Sequence, residues 1–314
     1  MERRQFFGRS LGLAATAKTA LVLGTAGAAS VAQAARPATL GAAELVIEAV
    51  QMPAWSTHNG QRVPLSPGDT VSTAHEIETA PNAGLVMVLP EGSLIRLGEK
   101  TRLGVQQLEV SPVNGRTAVK SELKLFDGFF RFATSTVARA VGQREINLNL
   151  RTATVGIRGT DFWSMTDEAH DATCLFEGKV DLATRDQGAL SLDKPTAFWA
   201  RFFDKPVQPV GNATPDQLNK FLASTELQPG RGIAVQGGRW RVVAAAAPRK
   251  PQAEALARRL RAEGYPATVR SKARLGRTVH EVRIDFMATA DDAAAVLAKI
   301  SGIDGVQGRV ALSA

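Results

Sequence analysis

The chain has 314 residues, a single cysteine and a formal net charge of +8 at neutral pH. One cysteine excludes an internal disulfide, and the length is sufficient for two domains with separate hydrophobic cores. The basic excess lies in residues 239–314, where 14 basic and 7 acidic side chains leave a charge of +7. This distribution favours a polyanionic ligand for the C-terminal part of the chain.

Residues 1–34 have the pattern of an export signal. Several arginines precede a run rich in Ala, Leu, Gly and Val, and Ala32-Gln33-Ala34 has the small-x-small form of a cleavage site. The string ERRQFF at 2–7 resembles a twin-arginine signal. Because Lys18 interrupts the apolar run, we expect cleavage after Ala34, with a retained anchor as the alternative. The chain would then be periplasmic and would meet a membrane only transiently, through its signal.

Residues 43–205 consist of short alternating runs separated by turn signals such as Ser66-Pro67-Gly68-Asp69 and Pro90-Glu91-Gly92-Ser93. This spacing predicts many antiparallel strands in a mainly β domain, a jelly-roll-like β-sandwich or β-roll. Cys174 lies in an apolar run of this region. We interpret it as a small buried residue.

The segment 151–164, RTATVGIRGTDFWS, organises the β region. Gly156 and Gly159 bracket Arg158, and glycines in a strand context indicate a bulge or a tight crossing. The guanidinium group of Arg158 would then need several partners, with Asp161 as a first candidate. We interpret Arg158 as a structural arginine that ties strands together, with ligand contact as the alternative.

The string TATVGIRGTDF is similar to the signature of FecR-type domains, which are exported β-domains. Four further strings match in the same order and spacing: LSPGDTV at 65–71, LPEGSLIRLGEKTRL at 89–103, LKLFDGFFRF at 123–132 and CLFEGKVDL at 174–182. The resemblance implies an envelope-side sensor or adaptor domain without catalytic residues. FecR-type regulators of sigma factors carry a cytoplasmic segment and a membrane helix ahead of this domain. We recognise neither in the sequence and expect no transmembrane signalling within the chain.

Residues 206–238 are predicted to contain a short helix and a linker. Thr214 has the position of a helix N-cap, with Pro215 in the first turn. Residues 226–238 are rich in Gly and Pro, which is typical of a linker. The aromatic run AFWARFF at 197–203 precedes this segment, and we expect it to close the β-sandwich rather than to offer a contact surface.

Residues 239–314 change to a pattern of strand, helix, strand, strand, helix and strand. Strands are predicted at 240–246, 267–272, 278–286 and 306–312, and helices at 251–263 and after Thr289. The prediction is a small α+β βαββαβ domain of RNP-like topology.

This module is similar to SPOR domains, which recognise peptidoglycan glycan strands stripped of their stem peptides. The resemblance lies in the first strand, the helix AEALARRLRAEGYPA at 253–267, the Val-x-Ile strand at 282–284 and the second helix. Two places differ from the family pattern. Val243 stands where a Gln is common, and Asp285-Phe286-Met287 stands where Gly-Pro-Phe is common.

The alternation of side chains along the four strands places basic residues on the sheet face opposite the helices. A glycan without peptides exposes lactyl carboxylates, which guanidinium groups bind in a bidentate manner. The alternative is a solvated basic face that opposes aggregation. We expect no nucleic acid, because Phe286 is the only aromatic residue on this face for base stacking, and export also argues against it. The predicted glycan-binding residues are Arg241, Val243, Arg270, Lys272, Arg283 and Arg309.

The sequence shows no catalytic or metal-binding pattern. The four histidines lack metal-ligand spacing, and no nucleophile-elbow, HExxH or phosphate-loop motif occurs. We therefore predict no enzyme activity, no metal and no cofactor. The predicted function is that of a periplasmic envelope protein that binds denuded glycan strands through its SPOR-like module. Its FecR-like module would bind a protein or glycan partner. The alternatives are an envelope signal-sensing regulator that acts with a separate membrane partner, and a wall hydrolase with an unrecognised site.

Overall fold

The computed structural model describes residues 43–113, 116–134, 142–157, 159–274 and 277–313. The predicted export signal and Arg158 lie outside these residues. The described part is mainly β, with a smaller α+β region at its C-terminal end, as the sequence predicts. None of its helices has the length and apolar character that crossing a membrane requires.

Seventeen strands lie between residues 45 and 212 of the described chain. They are β1 (Leu45–Gln51), β2 (Ala54–His58), β3 (Gln61–Pro64), β4 (Thr70–Val71), β5 (Glu76–Thr79), β6 (Gly84–Val88), β7 (Leu94–Leu97), β8 (Arg102–Val113), β9 (Arg116–Ala133), β10 (Gly142–Asn149), β11 (Ala153–Ile157), β12 (Asp161–Thr166), β13 (His170–Glu177), β14 (Val180–Thr184), β15 (Gly188–Leu192), β16 (Ala197–Phe202) and β17 (Gly211–Asn212).

These strands form two sheets. The first has the order β1-β6-β7-β9-β12-β13-β16-β17, with β4 paired to the start of β1. The second has the order β3-β2-β5-β8-β9-β10-β11-β14-β15. Strand β9 belongs to both sheets, since residues 116–127 pair with β8 and residues 128–133 pair with β7 and β12. Ile47 and Phe130 of the first sheet and Leu103 and Leu123 of the second are fully buried in one core.

One pairing differs from the antiparallel arrangement that the sequence predicts. Strands β9 and β10 run parallel, with Ile146 opposite Ser121. The alternation of polar and apolar residues reports which side chains are buried, but it carries no information on the direction of the neighbouring strand.

The signature segment is the place where the chain passes from one sheet to the other, because β11 lies in the second sheet and β12 in the first. Gly159 lies at this corner with φ +68°, a conformation that favours glycine. Gly156, by contrast, pairs regularly within β11, and an added Cβ would be 3.6 Å from its nearest neighbours. The bulge or tight crossing expected at Gly156 is therefore absent.

The segment between the two predicted modules is structured. Helix α1 (Pro215–Ala223) has Thr214 as its N-cap and packs Phe221 against Trp163, with ring centroids 4.1 Å apart. The expected linker contains strand β18 (Ile233–Val235). This strand pairs with β1 along its whole length. Gly and Pro at its borders indicate turns, but they do not exclude a three-residue strand between them.

The C-terminal elements are β19 (Trp240–Ala247), α2 (Lys250–Ala262), β20 (Thr268–Arg274), β21 (Arg277–Met287), α3 (Ala290–Ile300) and β22 (Arg309–Leu312). The sheet order is β20-β21-β19-β22, which is the predicted RNP-like arrangement. Both helices cover one face of this sheet. Val242, Ile284, Leu260 and Val296 are buried between the two layers.

The C-terminal sheet is joined directly to the β region. Ala234 of β18 pairs with Met287 of β21 while β18 also pairs with β1. Lys299 of α3 donates hydrogen bonds from Nζ to the carbonyl oxygens of Met52 and Arg231, both at 2.9 Å. One strand and one lysine side chain therefore connect the two regions.

Candidate functional site

The sheet face opposite α2 and α3, called the open face from here on, carries the predicted cations. Val243 lies in register with Arg283 on β21 and with Arg309 on β22, so these three side chains share the face. Val243 itself is only 4% exposed. The expected contact between Val243 and a ligand is therefore corrected: its side chain is buried beneath its two charged neighbours and cannot reach a ligand.

Glu281 lies at the centre of this face. Its side chain is 10% exposed and accepts hydrogen bonds from Arg283 Nε at 2.9 Å and Arg309 Nη2 at 3.3 Å. Burial of Glu281 favours its neutral form, but Arg283, Arg309 and Lys272 outweigh this and lower the pKa of the carboxyl group. Sequence reasoning missed this acid, although its position two residues before Arg283 places both on one face.

Arg241 is also paired rather than free. Its side chain is 12% exposed, donates from Nε to Ser313 Oγ at 3.2 Å and lies 3.6 Å from Asp285 Oδ1. Of the five cations predicted on this face, Arg241, Arg283 and Arg309 are thus paired with acids, although the Arg309 side chain remains 56% exposed. Arg270 and Lys272 are exposed as well. Neither of these two has an ion-pair partner within the described ranges.

A cleft of about 700 Å³ lies between this face and the strand β3 region of the N-terminal β-domain. Arg241, Arg270 and Arg283 line one side of the cleft, and Ser66 and Asp69 line the other. Burial raises the pKa of Asp69, and a hydrogen bond from the Ser66 backbone N–H to its Oδ2 at 2.7 Å partly offsets this. The charged residues of the cleft are therefore mostly arginines, with Asp69 and Asp285 as the two acids.

Two family models match the chain. The model described as FecR protein matches residues 75–181, and the model described as SPOR domain matches residues 236–308. The chain therefore contains a FecR domain and, C-terminal to it, a SPOR domain. This confirms both resemblances seen in the sequence. The open face and one wall of the cleft belong to the SPOR domain, and the crossing between the two sheets belongs to the FecR domain.

SPOR domains bind peptidoglycan, and FecR-type proteins work with partners, so both domains are typical of binding or regulatory proteins of the cell envelope. A search of curated proteins found no match. Two crystal structures of proteins assigned as anti-sigma factors, from Parabacteroides distasonis, are weakly similar. The first has 16% sequence identity and a TM-score of 0.37, and the alignment covers 47% of this chain and 64% of that one. The second has 15% sequence identity and a TM-score of 0.37, and the alignment covers 76% of this chain and 97% of that one.

Within the FecR domain, Asp161 of β12 is bound by an arginine of β9. Its carboxylate accepts two hydrogen bonds from Arg131, with Nε to Oδ1 at 2.9 Å and Nη2 to Oδ2 at 2.8 Å. Arg131 also donates from Nη1 to Glu226 Oε1 at 2.8 Å. Arg131 therefore joins β9, β12 and the segment after α1. Sequence reasoning missed it because the three residues are far apart in the chain.

The described residues offer little for covalent or metal chemistry. They contain no group of three or more metal-ligating side chains. Burial raises the pKa of Cys174 to about 12, so its thiol is protonated at neutral pH and is a poor nucleophile. The chemistry available at the SPOR face is the binding of anionic or hydroxyl-rich ligands.

Replacing Glu281 with glutamine should lower the stability of the protein by an amount that depends on pH. At neutral pH, E281Q should lower the free energy of unfolding by about 1.5 kcal/mol, because Arg283 and Arg309 lose a charged acceptor. The pKa of Glu281 is lower in the folded protein than in the unfolded chain. Its stabilising contribution is therefore present above an unfolded pKa of about 4.3 and is lost as the pH falls through the folded value.

Urea unfolding of the wild type and E281Q between neutral and acidic pH measures this difference. The stability gap between the two proteins should close on the acidic side. A gap that is constant across this pH range would contradict the paired state of Glu281.

Proposed function

We propose that this protein is a non-enzymatic, exported envelope protein that binds denuded glycan strands of peptidoglycan through the open face of its SPOR domain. The observation that carries the proposal is the position of Arg270 and Lys272 next to three paired arginines on a SPOR sheet. Both are exposed and lack an ion-pair partner within the described ranges. Lactyl carboxylates without stem peptides are suitable acceptors for such groups.

The paired arginines support this role in a second way. Glu281 and Asp285 hold the guanidinium groups of Arg283 and Arg241 in place, so these groups would lose little side-chain entropy when a ligand binds. Arg270 and Lys272 supply the exposed charge, and the ion-paired Arg241 and Arg283 supply hydrogen-bond donors in fixed positions. Binding should therefore depend on salt through Arg270 and Lys272.

The FecR domain is proposed to bind a protein or glycan partner in the periplasm. Its presence also supports the alternative function, a regulator that relays an envelope signal through a separate membrane protein. Crosslinking in intact cells distinguishes the two: a membrane protein crosslinked to the FecR domain supports the regulator. A wall-bound pool without such a crosslink supports the adaptor.

Binding of the full chain to isolated sacculi tests the main proposal. The wild type should sediment with amidase-treated sacculi and much less with untreated ones. The double variant Arg270→Ala, Lys272→Ala should bind at least about tenfold more weakly at low salt, since each lost charge contact contributes about 1 kcal/mol or more. The difference between the two proteins should shrink as salt is added.

Arg258→Ala is a control that removes one positive charge elsewhere, because Arg258 is exposed on α2, on the opposite side of the sheet. It changes the net charge without changing the open face and should bind as the wild type does. Equal sedimentation of the wild type with treated sacculi and without any sacculi would overturn the proposal. Release of soluble fragments from sacculi by the purified chain would overturn its non-enzymatic part.

A further inference from the structure

The cleft beside the SPOR face is built by both domains. Phe286 and Val63 line it from opposite sides, Phe286 from β21 and Val63 from β3. Both are strongly exposed, Phe286 by 42% and Val63 by 52%, and they are two of only five large apolar side chains with such exposure among the described residues. Two exposed apolar groups on opposite walls of one cleft indicate a ligand with an apolar surface.

The remaining lining narrows the class of ligand. Asp69 and Asp285 lie in the cleft together with four arginines, so the lining is only moderately positive. Carboxylates on both walls oppose a polyphosphate backbone, which carries a charge on every unit. Ser66 and Asp69 are suited to hydroxyl groups as hydrogen-bond partners. A saccharide with occasional carboxylates fits this mixture, because its ring has apolar C–H faces and hydroxyl edges.

The two walls are held at a fixed separation. Trp55 of β2 donates from Nε1 to the carbonyl oxygen of Ala262 at 3.4 Å, at the end of α2. Gly264 follows this helix with φ +83° and lies so close to Trp55 that an added Cβ would be 2.6 Å from the indole ring. Trp55 belongs to one wall and Gly264 follows the helix of the other, so this close contact joins the two walls. The cleft is therefore a preformed feature of the fold.

We propose that this cleft is a composite saccharide subsite, in which the N-terminal β-domain supplies Val63, Ser66 and Asp69 to the glycan-binding face of the SPOR domain. One sugar ring would pack its apolar faces between Val63 and Phe286, and a carboxylate on the same strand would reach Arg270. The inference rests on the proposed function and extends it, because glycan binding would then be shared between the two domains.

Val63→Glu in the full chain tests the composite subsite. This substitution removes an apolar contact and adds a negative charge near the carboxylates of the glycan. It should weaken binding to amidase-treated sacculi at least about tenfold. Val207→Glu is the matched control, because Val207 is 44% exposed and does not line the cleft. It should bind as the wild type does, and both variants should keep the thermal midpoint of the wild type because both positions are exposed.

Hydrogen exchange gives an independent readout. Soluble glycan released from amidase-treated sacculi should slow exchange in residues 61–71 of the wild type and leave that segment unchanged in V63E. If V63E binds as tightly as the wild type while Arg270→Ala, Lys272→Ala still loses binding, the composite subsite is wrong and the proposed function stands. If the wild type does not bind treated sacculi, the proposed function and the composite subsite are both wrong.

Discussion

Replacing Gly128 with alanine is expected to destabilise the FecR domain by about 4 kcal/mol. Gly128 has φ +98° at the point where β9 passes from the second sheet to the first. An added Cβ would lie 2.5 Å from Thr101 Cα, which is a backbone atom. Thr101 cannot move aside, because it is buried and its Oγ1 accepts a hydrogen bond from the Phe129 backbone N–H at 3.0 Å.

Gly60→Ala is the control for this prediction. Gly60 also has a positive φ, +77°, but an added Cβ would meet no atom within 4 Å. Its substitution carries only the backbone strain, about 1 kcal/mol. Chemical denaturation of the two variants therefore separates the steric part of the loss from the conformational part. Equal losses in G128A and G60A would contradict the close approach of β9 to Thr101.

Replacing Asp292 with alanine is the second change with a large expected effect, a loss of about 3 kcal/mol. Asp292 is 1% exposed, and its Oδ1 accepts hydrogen bonds from the backbone N–H groups of Gly232 at 3.1 Å and Ile233 at 2.9 Å. Its Oδ2 accepts from Thr289 Oγ1 at 2.7 Å. The substitution leaves two buried N–H groups without an acceptor at the strand that joins the two domains.

Hydrogen exchange of residues 232–235 provides the measurement, since D292A should speed exchange in β18 more than in the centre of either sheet. Asp291→Ala is the matched control. Asp291 is exposed in the first turn of the same helix, so its removal costs only a helix-dipole contribution of about 0.5 kcal/mol. Exchange in β18 that is as slow in D292A as in D291A would show that Asp292 does not hold this strand.

The sequence predicted those features that depend on short-range patterns. Thr214 and Thr289 cap their helices as expected, because a cap is decided within three or four residues. The order of strands and helices in the SPOR domain and the face that carries its cations follow from periods of 3.6 and 2. The two family resemblances rest on strings of this kind, and the family models confirm them.

Features that depend on distant residues were missed. The role of Glu281 depends on which cations neighbouring strands bring beside it, and the alternation of a single strand does not contain that information. Arg131 and Asp161 are 30 residues apart in the chain, and Asp292 binds backbone groups about 60 residues earlier. Strand β18 was not predicted for the same reason. Its three residues lie near glycines and gain their extended conformation from pairing with two distant strands.

Strand β18 also sets how the molecule would behave under load. A strand with hydrogen bonds to both β1 and β21 leaves no free tether between the domains, so neither can swivel about the other. In a molecule attached to the wall, the FecR domain would face one fixed direction relative to the sugar chain. A pull on that domain would load the three residue pairs between β18 and β1 and the single pair between β18 and β21.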